Sequence, residues 1–470
     1  MKTIIKIRFV FFLLFVMVCT SCKKFLEIPP PKDAIKPEQI FENNETATSA
    51  ITGIYSRMAV STSVFGGGLN SVAVINGFSA DEFKSHGATY DELYKNEIQT
   101  RSTYTSSLWT EPYRYIYTSN AILEGLPLSK GVTENIKKQI EGEAKFVRAF
   151  CYFYLLNNFG DVPLNLTTDY RINEIASRSP KEKIYAQIIA DLIDAEILLS
   201  SNYISIERIR PNQWAAKALL SRVYLYMEKW DLAAQKATEV INQKPMYSLI
   251  DDLDKVFLKN STETVWQLMP TAGGNTNEGA FFILNATPAT TSLSPDLISK
   301  FESGDNRRVK WVGEYSNTTG KYYYPFKCKI RTTTATTGIA EYSMVIRLAE
   351  LYLIRAEARI HANEIPLGIA DLNILRKRAR ALPTTAIPYP LPDILSTLSK
   401  ADALLAVEKE RKIELFSECG HRWLDLKRTN RAISVLAPLK GATWQNTDVL
   451  YPIPDAERSK NPNMGQNPGY

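Results

Sequence analysis

Histidine is scarce: the 470-residue chain has three, His86, His361 and His421. No H-E-x-x-H pair exists, and no G-x-S-x-G, P-loop or G-x-G-x-x-G motif is present. Those gaps leave no zinc-hydrolase, serine-hydrolase or nucleotide-binding signature. Asn76 to Asp81 lacks the last glycine of a nucleophile elbow, and Gly66-Gly67-Gly68 is followed by no Lys-Ser/Thr, so it reads as a loop. Cys151, Cys328 and Cys419 have no short spacing and make neither a zinc motif nor a disulfide framework; buried free thiols are expected. Asp251-Asp252-Leu253-Asp254 offers three carboxylates, short of the roughly six to eight oxygens of a calcium site, and reads as a capped or solvated turn. No cofactor, metal or catalytic residue is expected. Net charge is also small, +6, which gives a nucleic-acid partner no support.

Beyond residue 18 there is no run of eighteen apolar residues, so nothing downstream reads as a membrane span. What is present is an ordinary folded composition, 45% hydrophobic and 23% charged. The N-terminus differs. Lys2, Lys6 and Arg8 precede an apolar run over 9–18, FVFFLLFVMV, too short to span a bilayer and typical of a secretory signal. Thr20, Ser21 and Cys22 then resemble the lipobox of bacterial lipoproteins. On that reading 1–21 is a signal peptide, Cys22 is lipidated, and 22–35, with the Pro-rich KKFLEIPPPKD, is a tether. Half of the positive excess leaves with Lys2, Lys6 and Arg8.

The mature chain reads as helices. Apolar residues recur at helical spacing over 36–60, 107–126, 134–157, 180–200 and 399–435. Residues 61–80 break the pattern. Residues 211–243 form two amphipathic helices with alanines at their crossing, resembling a tetratricopeptide-type hairpin, and 343–380 form a second. Residues 245–342 differ: ETVWQLMP and KYYYPFKCKI (321–330) are strand candidates within loops. Recognition is expected in such loops.

Several motifs then carry a family resemblance. They are LWTEPYRYIYTSNAIL (Trp109, Tyr113, Ile116, Asn120), Arg148-Ala149-Phe150 with its stop at Gly160–Pro163, and RLAELYLIRAEA (Arg347, Tyr352, Arg355, Glu357). LNILRKRAR (Asn373, Arg376, Arg378) and EKERKIELFSECGHRWLDLKR follow, and then the tail with Pro452-Ile453-Pro454 and Gln466-Asn467-Pro468-Gly469-Tyr470. In this order, behind a lipobox, they resemble the SusD/RagB family of outer-membrane nutrient-binding lipoproteins. The spacing of Glu410, Arg411 and Glu414 with Arg422, Asp425 and Arg428 points to a structural charge network between helices.

The resemblance implies a mainly α SusD-like fold, with tetratricopeptide-type hairpins as scaffold and a few short strands in a loop-rich region. The N-terminal part is 36–244 and the C-terminal part 245–470, in one globular body. It implies a non-enzymatic protein, lipid-anchored in the outer membrane and facing the exterior, that captures an oligosaccharide for a SusC-like TonB-dependent transporter. Peptide or other small cargo, or a helical scaffold without cargo, are the alternatives. Sugar binding needs flat apolar faces beside polar groups, a mixture found over 64–104 and 273–324. The residues singled out are Phe65, Asn70, Phe78, Asp81, Glu82, Tyr90, Asn275, Phe281, Phe282 and Trp311; Phe78 and Trp311 also fit a core.

Overall fold

The computed structural model describes residues 37–470 apart from 206, 272–273, 319 and 335–337. The signal peptide, Cys22 and the tether lie outside the described residues. Helix α1 (Asn44–Met58) begins where Asn43 caps it, its side-chain oxygen accepting from the Glu45 and Thr46 amides at 3.0 and 2.9 Å. Helix α2 (Val72–Ser79) lies inside the stretch read as a break. Every one of its residues is buried, so it carries no polar stripe from which a helical period could be read.

Helices α3 (Thr103–Gly125) and α4 (Glu134–Phe159) pack on each other. Residues 146–156 of α4 are buried all round, which makes it the central helix of the core. Arg148 is the one charge in that run. Its guanidinium bonds Asp191 at 2.8 and 2.7 Å and the Asn120 side chain at 2.9 Å, which balances the cost of its burial. After a one-turn helix α5 (Tyr170–Asn173) come α6 (Lys181–Leu198) and the hairpin α7 (Gln213–Tyr226) and α8 (Trp230–Ile241). Ala215, Ala216, Ala233 and Ala237 have no exposed surface, and their small size lets Ser221 Oγ donate to the Ala233 carbonyl at 2.9 Å across the crossing.

Helix α9 (Asn277–Phe282) is followed by the second hairpin, α10 (Leu348–His361) with α11 (Ile365–Ala379), which packs on α8. Here the structure corrects the expected boundary. Residues Ser343–Arg347 are a strand rather than the first turn of the helix, and they pair antiparallel with Thr264–Leu268. Both strands are buried throughout, and Thr264–Leu268 is the strand expected in ETVWQLMP. The expected pattern over 399–435 divides into α12 (Lys400–Leu415), α13 (His421–Arg428) and a helix from Ala432. Ser417, Cys419 and Gly420 lie between the first two at φ 56, 47 and 70°, left-handed values that end a helix.

Besides a two-residue antiparallel pair, Val162–Pro163 with Arg178–Ser179, the strands among the described residues are β1 (Phe83–Ser85), β2 (Thr264–Leu268), β3 (Thr291–Leu293), β4 (Val312–Asn317), β5 (Gly320–Pro325) and β6 (Ser343–Arg347). They pair β1 with β3, β2 with β6 and β4 with β5, each antiparallel. The architecture is mainly α, with a few short strands holding the loop-rich centre against the helices. Among the described residues no helix is long and apolar enough to cross a membrane.

Candidate binding face

Two stretches about two hundred residues apart in sequence meet on this scaffold. Strand β1 pairs with β3 through Phe83 with Leu293, Lys84 with Ser292 and Ser85 with Thr291. The ladder is extended by the His86 amide to the Thr290 carbonyl at 2.8 Å and by the Ser294 amide to the Glu82 carbonyl at 2.8 Å. At the start of α9, Asn277 Nδ2 donates to the carbonyls of Ala59 and Gly66 at 3.0 and 2.6 Å. Strand β5 packs on β3, so the tyrosine hairpin β4–β5 stands beside the same ladder.

Two groups of rings and polar side chains lie beside this ladder. Phe281 and Tyr104, both part-buried, flank Tyr90 with ring centroids 6.2 and 5.5 Å away. Tyr104 donates to the Thr89 carbonyl at 2.7 Å. His86 stands edge-on to Tyr322, centroids 5.6 Å apart, with Nε2 2.8 Å from Ser292 Oγ. Burial, and then the charge of Lys84, hold the His86 imidazole below its usual pKa, so near pH 7 it is neutral and both gives and accepts hydrogen bonds. Tyr322 pairs across the hairpin with Tyr315, and Arg308 lies 4.5 Å above the Tyr323 ring. Gly313 is required here, because a Cβ would stand 2.2 Å from the Tyr324 ring that crosses it.

A family described as "Starch-binding associating with outer membrane" matches residues 24–225, and the "SusD family" matches 299–470. The chain belongs to the SusD/RagB family. Two SusD-like proteins of Formosa agariphila are 26% and 27% identical, over 94% and 99% of this chain and 95% and 99% of theirs. A SusD superfamily protein from Bacteroides vulgatus superposes with a TM-score of 0.78 at 20% identity, covering 92% of this chain and all of that one. A structure titled "Laminarin binding SusD-like protein" does so with 0.73 at 23%, covering 92% of this chain and all of its own.

The SusD framework motifs form the buried charge network. Glu414 is its hub: Oε1 takes Arg347 at 2.7 Å and also Arg378, while Oε2 takes Arg307 at 2.9 Å. Three cations outweigh burial and hold its carboxyl well below the usual range. Lys327 donates to the Glu414 and Phe416 carbonyls at 2.8 Å each and to Glu418. The set grouped from sequence divides in three, with Glu410 and Glu414 both on Arg307. Arg411 and Arg428 share Asp425 at 2.6 and 2.8 Å, whereas Arg422 reaches Asp81 at 2.8 Å.

Most of the singled-out site residues are inside, a correction to the expectation that they reach a ligand. Phe78 is fully buried and stacked on Tyr90 at 4.5 Å, and Tyr90 itself is 1% exposed and donates to the Leu69 carbonyl. Phe282 packs on Phe83 at 5.3 Å. Trp311 is fully buried, its indole N–H on the Leu253 carbonyl and its ring 5.0 Å from Lys327. Asp81 is bound by Arg422 and Lys412, and Glu82 accepts from the Ser417 amide. Asn275 spends its amide on Thr333, Gly338, Ala340 and Glu341. Phe65 lies 4.9 Å from Phe150 and walls an internal cavity of about 50 Å³ shared with Glu278 and Lys327. Burial pushes the Glu278 carboxyl up to about 7.

Asn70 and Phe281 alone of the ten are part-exposed. Tyr104 and His86 are on the face but were not singled out. His86 directly follows β1, and nothing in the sequence beyond its being one of three histidines marked it. In the acidic turn, Asp254 is taken by Lys310 and Lys329 at 2.5 and 3.0 Å.

Proposed function

We propose that this protein is a surface lipoprotein, anchored through Cys22 in the outer membrane, that captures an oligosaccharide and passes it to a SusC-like TonB-dependent transporter. The observation that carries the reading is the pair of ring groups beside the β1–β3 ladder, Phe281 and Tyr104 about Tyr90 and His86 against Tyr322, with Asn70 part-exposed in the same stretch of chain. Ring faces cover the CH surface of a pyranose, while an amide and a neutral imidazole bond its hydroxyls. The starch-binding description of one matching family and the laminarin-binding title of a structural neighbour support a glycan as cargo.

Native gels cast with laminarin, starch, xylan or mannan test the reading on the chain from residue 23 onward. Retardation by at least one polysaccharide is expected, together with co-purification of the barrel when both are expressed. Binding of peptides with no retardation by any polysaccharide would replace the glycan assignment.

A further inference from the structure

A second concavity shares no residue with the face above. It is a groove of about 340 Å³ between α3, the segment through α5 and the C-terminal tail. Trp109, Tyr113 and Tyr117 follow at intervals of four along α3 and so lie on one side of it. Trp109 is buried at the base, and Tyr113 is fixed by donating to the Pro163 carbonyl at 2.7 Å. Tyr117 is 54% exposed. Tyr170, at the start of α5, is 70% exposed and lines the same groove.

The wall that carries Tyr170 is held in place. Asp169 caps α5 by accepting from the Arg171 amide at 3.0 Å, and Thr167 Oγ1 and the Thr168 amide donate to Glu124 at 2.7 and 3.0 Å. From the tail, Asn461 donates to the Ala176 carbonyl at 2.8 Å. Asn173, Glu174, Glu457, Lys460 and Asn461 also line the groove. Two large rings left in water over a groove of ligand size, with amide and charged side chains in its lining, form a site rather than scattered surface.

We infer that this groove is a second oligosaccharide-binding site, with Tyr117 and Tyr170 as the ring platforms. A sugar suits it better than a wholly apolar protein segment, because flat rings stand among amide and charged side chains that bond hydroxyls. The inference stands on this groove alone, whatever the first face binds. Two sites on one chain would raise the retention of a long glycan through effective concentration.

Fluorotyrosine-labelled protein tests it by ¹⁹F NMR, with Tyr117 and Tyr170 assigned through Tyr117→Phe and Tyr170→Phe. The probes are laminarin, starch, xylan and mannan oligosaccharides. Tyr104 and Tyr322 report the first face, and Tyr389, 85% exposed, is the control. The expected result is that Tyr117 and Tyr170 both shift with at least one oligosaccharide. Tyr170→Ala should then weaken that binding about tenfold, the effect of losing one ring face, without changing the melting temperature. Shifts at Tyr104 and Tyr322 alone would overturn the groove and leave the first face standing. Shifts at Tyr117 and Tyr170 alone would do the reverse. No shift at Tyr117 and Tyr170 with any sugar, or shifts caused only by the transporter, would overturn the inference.

Discussion

Asp81 and Arg422, 341 residues apart in the chain, meet through two hydrogen bonds of 2.8 and 2.9 Å. Lys412 adds a third to the same carboxylate at 2.8 Å. This junction fastens the loop that leads into β1 to the framework helices α12 and α13. It is therefore what holds one half of the proposed sugar face in place.

Burial alone would raise the Asp81 pKa, but the two cations win and hold it well below the usual carboxylate range. A depressed carboxylate contributes stability above its unfolded pKa of about 4, and that stability is lost as pH falls toward the folded value. Asp81→Asn is expected to cost about 3 kcal/mol at pH 7, because it strands buried cations, and to flatten the acid side of the stability profile. Urea unfolding between pH 3 and 7 measures both.

Glu82, the next residue, has the opposite sign. Burial, and then the charge of Asp81, push its carboxyl up to about 8. The native state holds this proton after the unfolded state has lost it, so stability falls as pH rises from about 4.3 to about 8. Glu82→Gln keeps an acceptor for the Ser417 amide and removes the ionisation. The variant should be more stable than the parent at pH 8, by on the order of 2–4 kcal/mol, and equal to it near pH 4.

Gly420 begins α13 at φ +70°, and a Cβ there would stand 2.6 Å from Asn76 Nδ2 and 2.9 Å from the Val72 carbonyl. Both the backbone and the space require glycine. Gly420→Ala should cost more than about 1 kcal/mol, read as a lowered melting temperature. An equally stable variant would show that α2 and α13 are less tightly joined than the contact implies.

Much of this was legible in the sequence. The long helices α3, α4 and α6 and both hairpins announce themselves by period, and the family motifs mark the ion-paired frame. The short buried elements were not legible. Val72–Ser79 and Ser343–Arg347 carry apolar residues on every side, so periodicity is silent about them. The site shows the same limit. Phe65, Phe78 and Trp311 have the composition of a sugar platform, but each fills the core, while Phe281 and Asn70 reach the surface. Which ring of a loop faces outward depends on the partner strand, and that partner lies two hundred residues away.

The most direct test of the central claim is calorimetry on the chain from residue 23 onward with laminarin, starch, xylan and mannan oligosaccharides. The wild type is compared with the Phe281→Ala, Tyr322→Ala double variant, and melting temperatures control for folding. Binding of at least one sugar, weakened tenfold or more in the double variant, is the result expected from removing two ring faces. Equal affinity in the two proteins, or binding of peptides and of no sugar, would contradict the account.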